Sequence, residues 1–343
     1  MIMSFQNCMI KTLKQNLENN MKIAVFYITE QGKKTAFKIS ENINCDIFDK
    51  YELKNIDKYF YEYDNIVFVM ATGIVVRKIA NLIKSKKTDP AVVVCDEKGN
   101  FAISLLSGHI GGANEFAKKI ADIIGATPVI TTSTDVNDKI AFDVFAKENG
   151  LVIKNIENMK YISGDIVNNS NVGLFSDVEL KGEIPSYILK NIKCNSNVFI
   201  TPYKKDISNR DVVLVPKKYI IGIGCKKNTP FENIKEAVYD FLGNIDILAI
   251  KAFVSIDLKN NEKGIVDFCK FSDIDFITYS ADELLSVKGN FTESEFVKKT
   301  TGVSNVCERS IKCYDKNADI IINKTVYKGI TLALGEIKTY CKF

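Results

Sequence analysis

Histidine occurs once in the 343 residues, at position 109, and tryptophan not at all. A single imidazole excludes a two-histidine zinc motif or a His-rich metal site within one chain. Arginine is confined to Arg77, Arg210 and Arg309, and 46 Lys plus Arg against 42 Asp plus Glu leave a net charge of only +4. Proteins that grip nucleic acid phosphates cluster their arginines and carry a strong positive bias. Lysine is spread evenly here, so nucleic acid is disfavoured as a partner. No apolar run approaches the ~18 residues that a membrane span needs. Residues 1–20 lack the cationic, apolar and small-residue succession of a secretory signal. The nine cysteines include no Cys-x-x-Cys, and the closest pair is Cys307 and Cys313. Odd in number and set in apolar runs, they read as small core hydrophobes in a reducing compartment. The expected chain is soluble and cytoplasmic.

A hydrophobic content of 46% is ample for sizeable cores, and the length suggests two or three domains. Met21 opens a short β-rich run, preceded by a polar extension over 1–20. Strand-like runs at 65–70, 91–95, 101–106 and 128–131 alternate with helical spacing over 74–85 and 113–124, and a further helix is expected from Asp138. This alternation predicts an α/β fold with a largely parallel sheet over residues 21–150. Residues 151–215 hold isolated strand-like runs (171–175, 197–201, 211–215) and read as a smaller middle region. A second α/β domain is expected over 216–343, opening on the strand at 218–224. Thr229-Pro-Phe-Glu232, Ser280-Ala-Asp-Glu283 and Thr292-Glu-Ser-Glu295 carry the spacing of helix capping boxes. The end reads as two strands, 319–323 and 329–334, around a loop at 324–328.

The densest glycine segment is Ser107-Gly-His-Ile-Gly-Gly-Ala-Asn114, at a strand-to-helix junction. Glycines there let backbone N–H groups approach a ligand, and the following helix directs its positive end at it. The spacing is neither a dinucleotide fingerprint nor a P-loop. Such donors suit a carboxylate or an oxyanion, and a neutral His109 could act as a general base. The plainer reading is a tight turn whose histidine caps a neighbouring carbonyl. Asp96 and Glu97 end a strand where open α/β sheets place ligands, or they simply form a hairpin turn. Thr72, Gly73 and Arg77 form a similar junction, in which the arginine holds either a carboxylate or a surface ion pair. Gly222-Ile-Gly-Cys225 is a weak Gly-x-Gly, and Cys225 has no histidine in its domain to activate it. In Thr300-Thr-Gly-Val-Ser-Asn-Val-Cys-Glu308, Asn305 and Glu308 fit a helix start, which leaves Thr300, Thr301, Gly302 and Ser304 without a packing reason.

In combination these segments resemble the cobalt-precorrin-5A hydrolases of anaerobic cobalamin biosynthesis. The likeness is carried by the motifs at 71–77, 88–94, 106–114 and 128–135, then by 222–225, 255–259 and 300–308. Arg309 stands where a proline is often expected, and the closing strand at 328–331 is a plain version. The resemblance implies an enzyme that opens a δ-lactone on a cobalt-bound contracted macrocycle and releases acetaldehyde. It implies a cobalt-corrinoid intermediate as partner, transient contacts with neighbouring pathway enzymes, and no cofactor of the enzyme's own, since the cobalt arrives within the substrate. On that reading His109 is the base or proton shuttle, Gly111 and Gly112 supply oxyanion amides, and Asp96 or Glu97 orients water or the imidazole. Thr72, Gly73, Arg77, Ser107, Gly108 and Asn114 are expected to contact substrate in the first domain. Gly224, Thr301, Gly302, Ser304 and Asn305 are expected to do so in the last. A non-catalytic corrinoid carrier and an unrelated nucleotide-binding α/β protein are the alternatives; a phosphate site is disfavoured by the absence of lysine from 107–112.

Overall fold

The computed structural model describes residues 21–85, 88–109, 111–137, 139–291, 299 and 301–343. The chain divides into two compact units, residues 1–144 and 145–343.

The first unit is built on six strands: β1 (Ile23–Tyr27), β2 (Asp46–Phe48), β3 (Asn65–Val69), β4 (Ala91–Cys95), β5 (Phe101–Leu106) and β6 (Thr127–Val129). Their order is β2-β1-β3-β4-β5-β6. The first four run parallel, β5 is antiparallel to β4, and β6 is parallel to β5. The unbroken apolar runs of β3 and β4 follow from burial on both faces, with alternate side chains serving opposite layers. Val25, Val67, Val69 and Val93 meet Ala36, Ile39, Phe116 and Ile120 on one side. Ala24, Phe26, Phe68 and Val92 meet Leu53, Phe60, Val75 and Ile79 on the other. The helix Ala113–Ile124 ends on Gly125, whose φ of 74° is the left-handed stop expected of glycine. The helix expected over 74–85 is observed as Thr72–Ile79, starting two residues earlier and ending six residues sooner. The start expected at Asp138 lies outside the described residues, and the next helix of ordinary length is Phe142–Glu148.

The second unit contains both the middle region and the C-terminal α/β region. The middle region forms its own sheet from β7 (Leu151–Ile153), β8 (Val172–Ser176), β10 (Ile188–Lys190), β11 (Asn197–Ile200) and β12 (Val212–Pro216), with order β10-β8-β11-β12-β7. β9 (Glu179–Lys181) pairs with the closing strand β18 (Tyr340–Lys342). The C-terminal sheet comprises β13 (Tyr219–Cys225), β14 (Ile250–Ile256), β15 (Asp275–Tyr279), β16 (Asp319–Tyr327) and β17 (Ile330–Glu336), in the order β15-β14-β13-β17-β16. Val213 and Val215 of β12 share a core with Ile221, Phe253 and Phe268, so the middle sheet is seated on the C-terminal one. Lys154 adds an ion pair to Asp246 at 2.6 Å.

Two local expectations change. Residues 324–327 are strand rather than loop, because β16 and β17 pair up to Tyr327 and Ile330 and turn only at Lys328 and Gly329. The capping box at Thr229 does not form: Pro230 is the N-cap, and the Thr229 hydroxyl donates instead to the Lys226 carbonyl. The box at Ser280 and Glu283 does form, and the one at Thr292 lies outside the described residues.

Candidate functional site

His109 follows β5, at the edge of the sheet where β5 and β6 end. The loop that carries it is wound on itself. The Gly112 amide donates to the His109 carbonyl, that of Ala113 to Ser107, and that of Asn114 to Gly108. Gly112 has φ 87°, and a Cβ at Gly111 would collide with the Ser107 side chain. These glycines thus have a packing reason, as the plain turn reading requires. The Gly112 amide, expected to face an oxyanion, is taken up inside the loop.

The histidine itself does not cap a carbonyl. Its Nε2 lies 2.7 Å from Oδ2 of Asp135 and 3.1 Å from the Thr134 hydroxyl, and its Nδ1 lies 3.5 Å from Oδ2 of Asp143. Asp135 is also held by Asn114, whose Nδ2 donates to it at 3.1 Å and to Thr132 Oγ1 at 3.0 Å. Asn114 in turn accepts from Ser104 at 2.7 Å, which fixes which way its amide points. Hydrogen bonding to Asp143, the more buried carboxylate, and then to Asp135 outweighs burial and lifts the His109 pKa to about 8. The imidazolium therefore predominates at neutral pH, where a neutral base was expected.

Gly111 borders a cavity of about 440 Å³, and Ser107 is hydrogen-bonded to a residue of its lining. Gly111, Asp89, Pro90, Asn65 and Tyr61 line this cavity, and the Ser107 hydroxyl donates to the Asp89 carbonyl at 3.1 Å. One Asp89 oxygen accepts from the Lys84 and Ser85 amides, while the other is buried without a partner among the described residues.

Asp96, Glu97, Thr72, Gly73 and Arg77 are not brought to His109. β4 pairs Val92 with Leu106 and Cys95 with Ala102, so Asp96 sits at the opposite end of the strand, roughly 16 Å away for a five-residue strand. Asp96 closes the β4–β5 turn, accepting from the Lys98, Asn100 and Phe101 amides. Glu97 accepts from the Thr29 hydroxyl. The turn after β3 lies at that same far edge, since β3 runs parallel to β4 and Met70 donates to the Cys95 carbonyl. Arg77 folds back to within 3.6 Å of where a Gly73 Cβ would stand. The expectation that Asp96 or Glu97 orients His109 is therefore corrected: Asp135 and Asp143 do so. Asp135 lay within a motif already singled out, whereas Asp143 carried no sequence signal.

In the second unit, Gly224 is in β13, where an added Cβ would meet Cys307 and Thr331 only at ordinary contact distance. Val303 and Val306 pack on Ile256 and Leu284, which places 301–305 near the carboxyl end of β14. Thr301 closes a local turn with Val303, and Gly302 is exposed with φ 77°. Ser304 is buried. Asn305 is fully buried and accepts from the Glu308 amide at 2.9 Å, the contact expected of a helix start. Cys225 is held as a thiol, its pKa raised by burial.

Three successive stretches match family descriptions: Cobalamin synthesis G N-terminal over 54–135, Cobalamin biosynthesis central region over 140–216 and Cobalamin synthesis G C-terminus over 219–335. The chain belongs to the CbiG family. A family member of Salmonella typhimurium named cobalt-precorrin-5A hydrolase is 32% identical, covering 91% of this chain and 97% of its own. One of the same name from Priestia megaterium is 31% identical over 86% of this chain and 84% of its own. The crystal structure of a cobalamin biosynthesis protein G homologue from Sulfolobus solfataricus matches at 25% identity and a TM-score of 0.41, covering 93% of this chain and 99% of its own. The matched regions break at 135–140 and 216–219. Among the described residues, no helix is long and apolar enough to cross a membrane.

Proposed function

We propose that the chain is a cobalt-precorrin-5A hydrolase that opens the substrate's δ-lactone and releases acetaldehyde. The observation that carries the chemistry is the lone histidine held between two carboxylates beside a glycine-rich turn. Water adds to the lactone carbonyl carbon, giving its protons up to solvent, and the acyl C–O bond breaks, which leaves a carboxylate and a hydroxyethyl group. The departing alkoxide needs a proton, and an imidazolium with a pKa of about 8 can donate one at neutral pH. The hydroxyethyl group then loses its hydroxyl proton, forms the aldehyde carbonyl and breaks its carbon–carbon bond to the ring. The electron pair of that bond stays on the macrocycle, where it is quenched by a proton. His109, now neutral, is suited to take the hydroxyl proton, so one residue serves both steps as a shuttle. Asp135 and Asp143 act through His109 and are positioning residues. The cobalt is part of the substrate, and no step is routed through a metal of the protein's own.

Near-complete coverage of relatives carrying the hydrolase name supports this reading over a non-catalytic corrinoid carrier. Incubating the purified chain with the lactone intermediate and trapping the volatile aldehyde tests it. Stoichiometric acetaldehyde is expected; tight binding of the corrinoid with no aldehyde would leave only the carrier.

A further inference from the structure

The second unit contains a cavity of about 470 Å³ between the end of β15, the helix Ala281–Ser286 and the helix Cys307–Tyr314. Its lining includes Tyr279, Ser286, Lys288, Lys312, Cys313 and Lys316. Three lysines around one hollow make an unusual local excess of charge in a chain whose net charge is only +4. None of the three has an ion-pair partner among the described residues; Lys312 reaches only the Lys316 carbonyl, at 3.5 Å. Among the described residues the lining has one carboxylate, Glu283, which accepts from the Ser280 amide and hydroxyl at its own helix start. Its single charge offsets one lysine and leaves the described lining with an excess of positive charge. Burial raises the Tyr279 phenol to about 12, so it remains a hydrogen-bond donor at neutral pH. Tyr279 and Cys313 also pack against the small cluster that seats Val303, so the cavity adjoins the 301–305 segment.

We infer that this cavity is an anion site that takes the peripheral carboxylates of a tetrapyrrole-derived macrocycle, with Lys288, Lys312 and Lys316 as the countercharges and the Tyr279 hydroxyl as a neutral donor. A flexible ammonium on a long stem is suited to carboxylate arms that are themselves mobile, where a rigid arginine fork is not needed. This assignment rests on the reading of the substrate as a carboxylated corrinoid, but not on which residue performs the chemistry.

The test uses the full chain and two probes: cobyrinic acid, whose peripheral carboxylates are free, and its methyl ester, in which they are masked. Binding is followed by the corrin absorbance. The triple variant Lys288→Gln/Lys312→Gln/Lys316→Gln is compared with Lys34→Gln/Lys50→Gln/Lys58→Gln, which neutralises three lysines of the first unit. The cavity variant is expected to bind cobyrinic acid about tenfold more weakly than wild type, the size expected of three weak ion pairs acting together. It should also lose part of the salt dependence, with ester binding and the control unchanged. Wild-type affinity in the cavity variant, an equal loss for the ester, an equal loss in the control, or a wild type that does not bind cobyrinic acid overturns the site. Acetaldehyde release is measured alongside. Its absence in wild type removes the hydrolase reading while a lysine-dependent affinity still stands, so the two failures are distinguishable.

Discussion

The sheet of the first unit ends in two rims built from similar parts, a strand, a glycine-bearing turn and a helix, yet their polar groups meet different partners. At the rim where β1, β3 and β4 finish, Asp96 and Glu97 are taken up by backbone amides and by Thr29. At the rim where β5 and β6 finish, His109 meets two carboxylates and Asn114. Parallel α/β sheets usually gather their ligands at the carboxyl ends of all strands together. Here the reversal of β5 carries the histidine to the other side. The same rule therefore selects two different edges, and the titratable cluster marks one of them.

The comparison can be broken by substitution. Replacing His109 by alanine should lower acetaldehyde release about 10²- to 10⁴-fold, the usual cost of losing a positioned acid–base group. Turnover within twofold of wild type, by steady-state assay at about pH 7, would remove the histidine from the chemistry. Asp143→Asn should cost roughly tenfold to a hundredfold, since it leaves the imidazole but removes the main support for its raised pKa. Its pH–rate profile should show the group that titrates at about 8 in wild type moving to lower pH; a profile that drops in height without moving would make Asp143 merely structural.

Gly111→Ala places a methyl group against Ser107 and should destabilise the chain by about 1–3 kcal/mol in urea melts. An unperturbed midpoint would show that the loop can open there. At the other rim, Asp96→Ala should cost about 1 kcal/mol of stability through the lost turn contacts and leave turnover intact. A selective fall in kcat with unchanged stability would instead restore Asp96 to the site.

A further effect concerns stability against pH. A histidine whose pKa is raised on folding stabilises the chain fully below its unfolded value, and that contribution fades as pH rises through the folded value. Wild type should therefore exceed His109→Gln by about 1–2 kcal/mol near pH 6, and the gap should close above pH 8. With one histidine in the chain, the imidazole proton resonance can be assigned without ambiguity and its titration followed directly. A midpoint at or below the ordinary value would show that the carboxylates do not hold the proton.

Much of the layout is legible in local pattern. The runs at 65–69, 91–95 and 101–106 become strands because both their spacing and their neighbours favour extended chain. Ser280 and Glu283 form their capping box because nothing nearby competes for the serine. Thr229 fails at the same spacing because Pro230 takes the cap position and the hydroxyl finds Lys226. The site was half legible. The glycines and His109 are contiguous, so the loop could be located. Its partner Asp143 is 34 residues further on and reaches the ring only through the reversal of β5 and the path past β6. The far-rim position of Asp96 depends on the same reversal, which no spacing along the chain encodes.

The contacts of His109 also bear on mechanics. The loop after β5, the turn after β6 and the first turn of Phe142–Glu148 come together on one ring, and the proton on that ring is what makes both carboxylates welcome. Each time the imidazole gives its proton away, two negative charges are left facing a neutral group. The joint between these three segments is then at its loosest, so a single proton both drives the chemistry and fastens the frame around it.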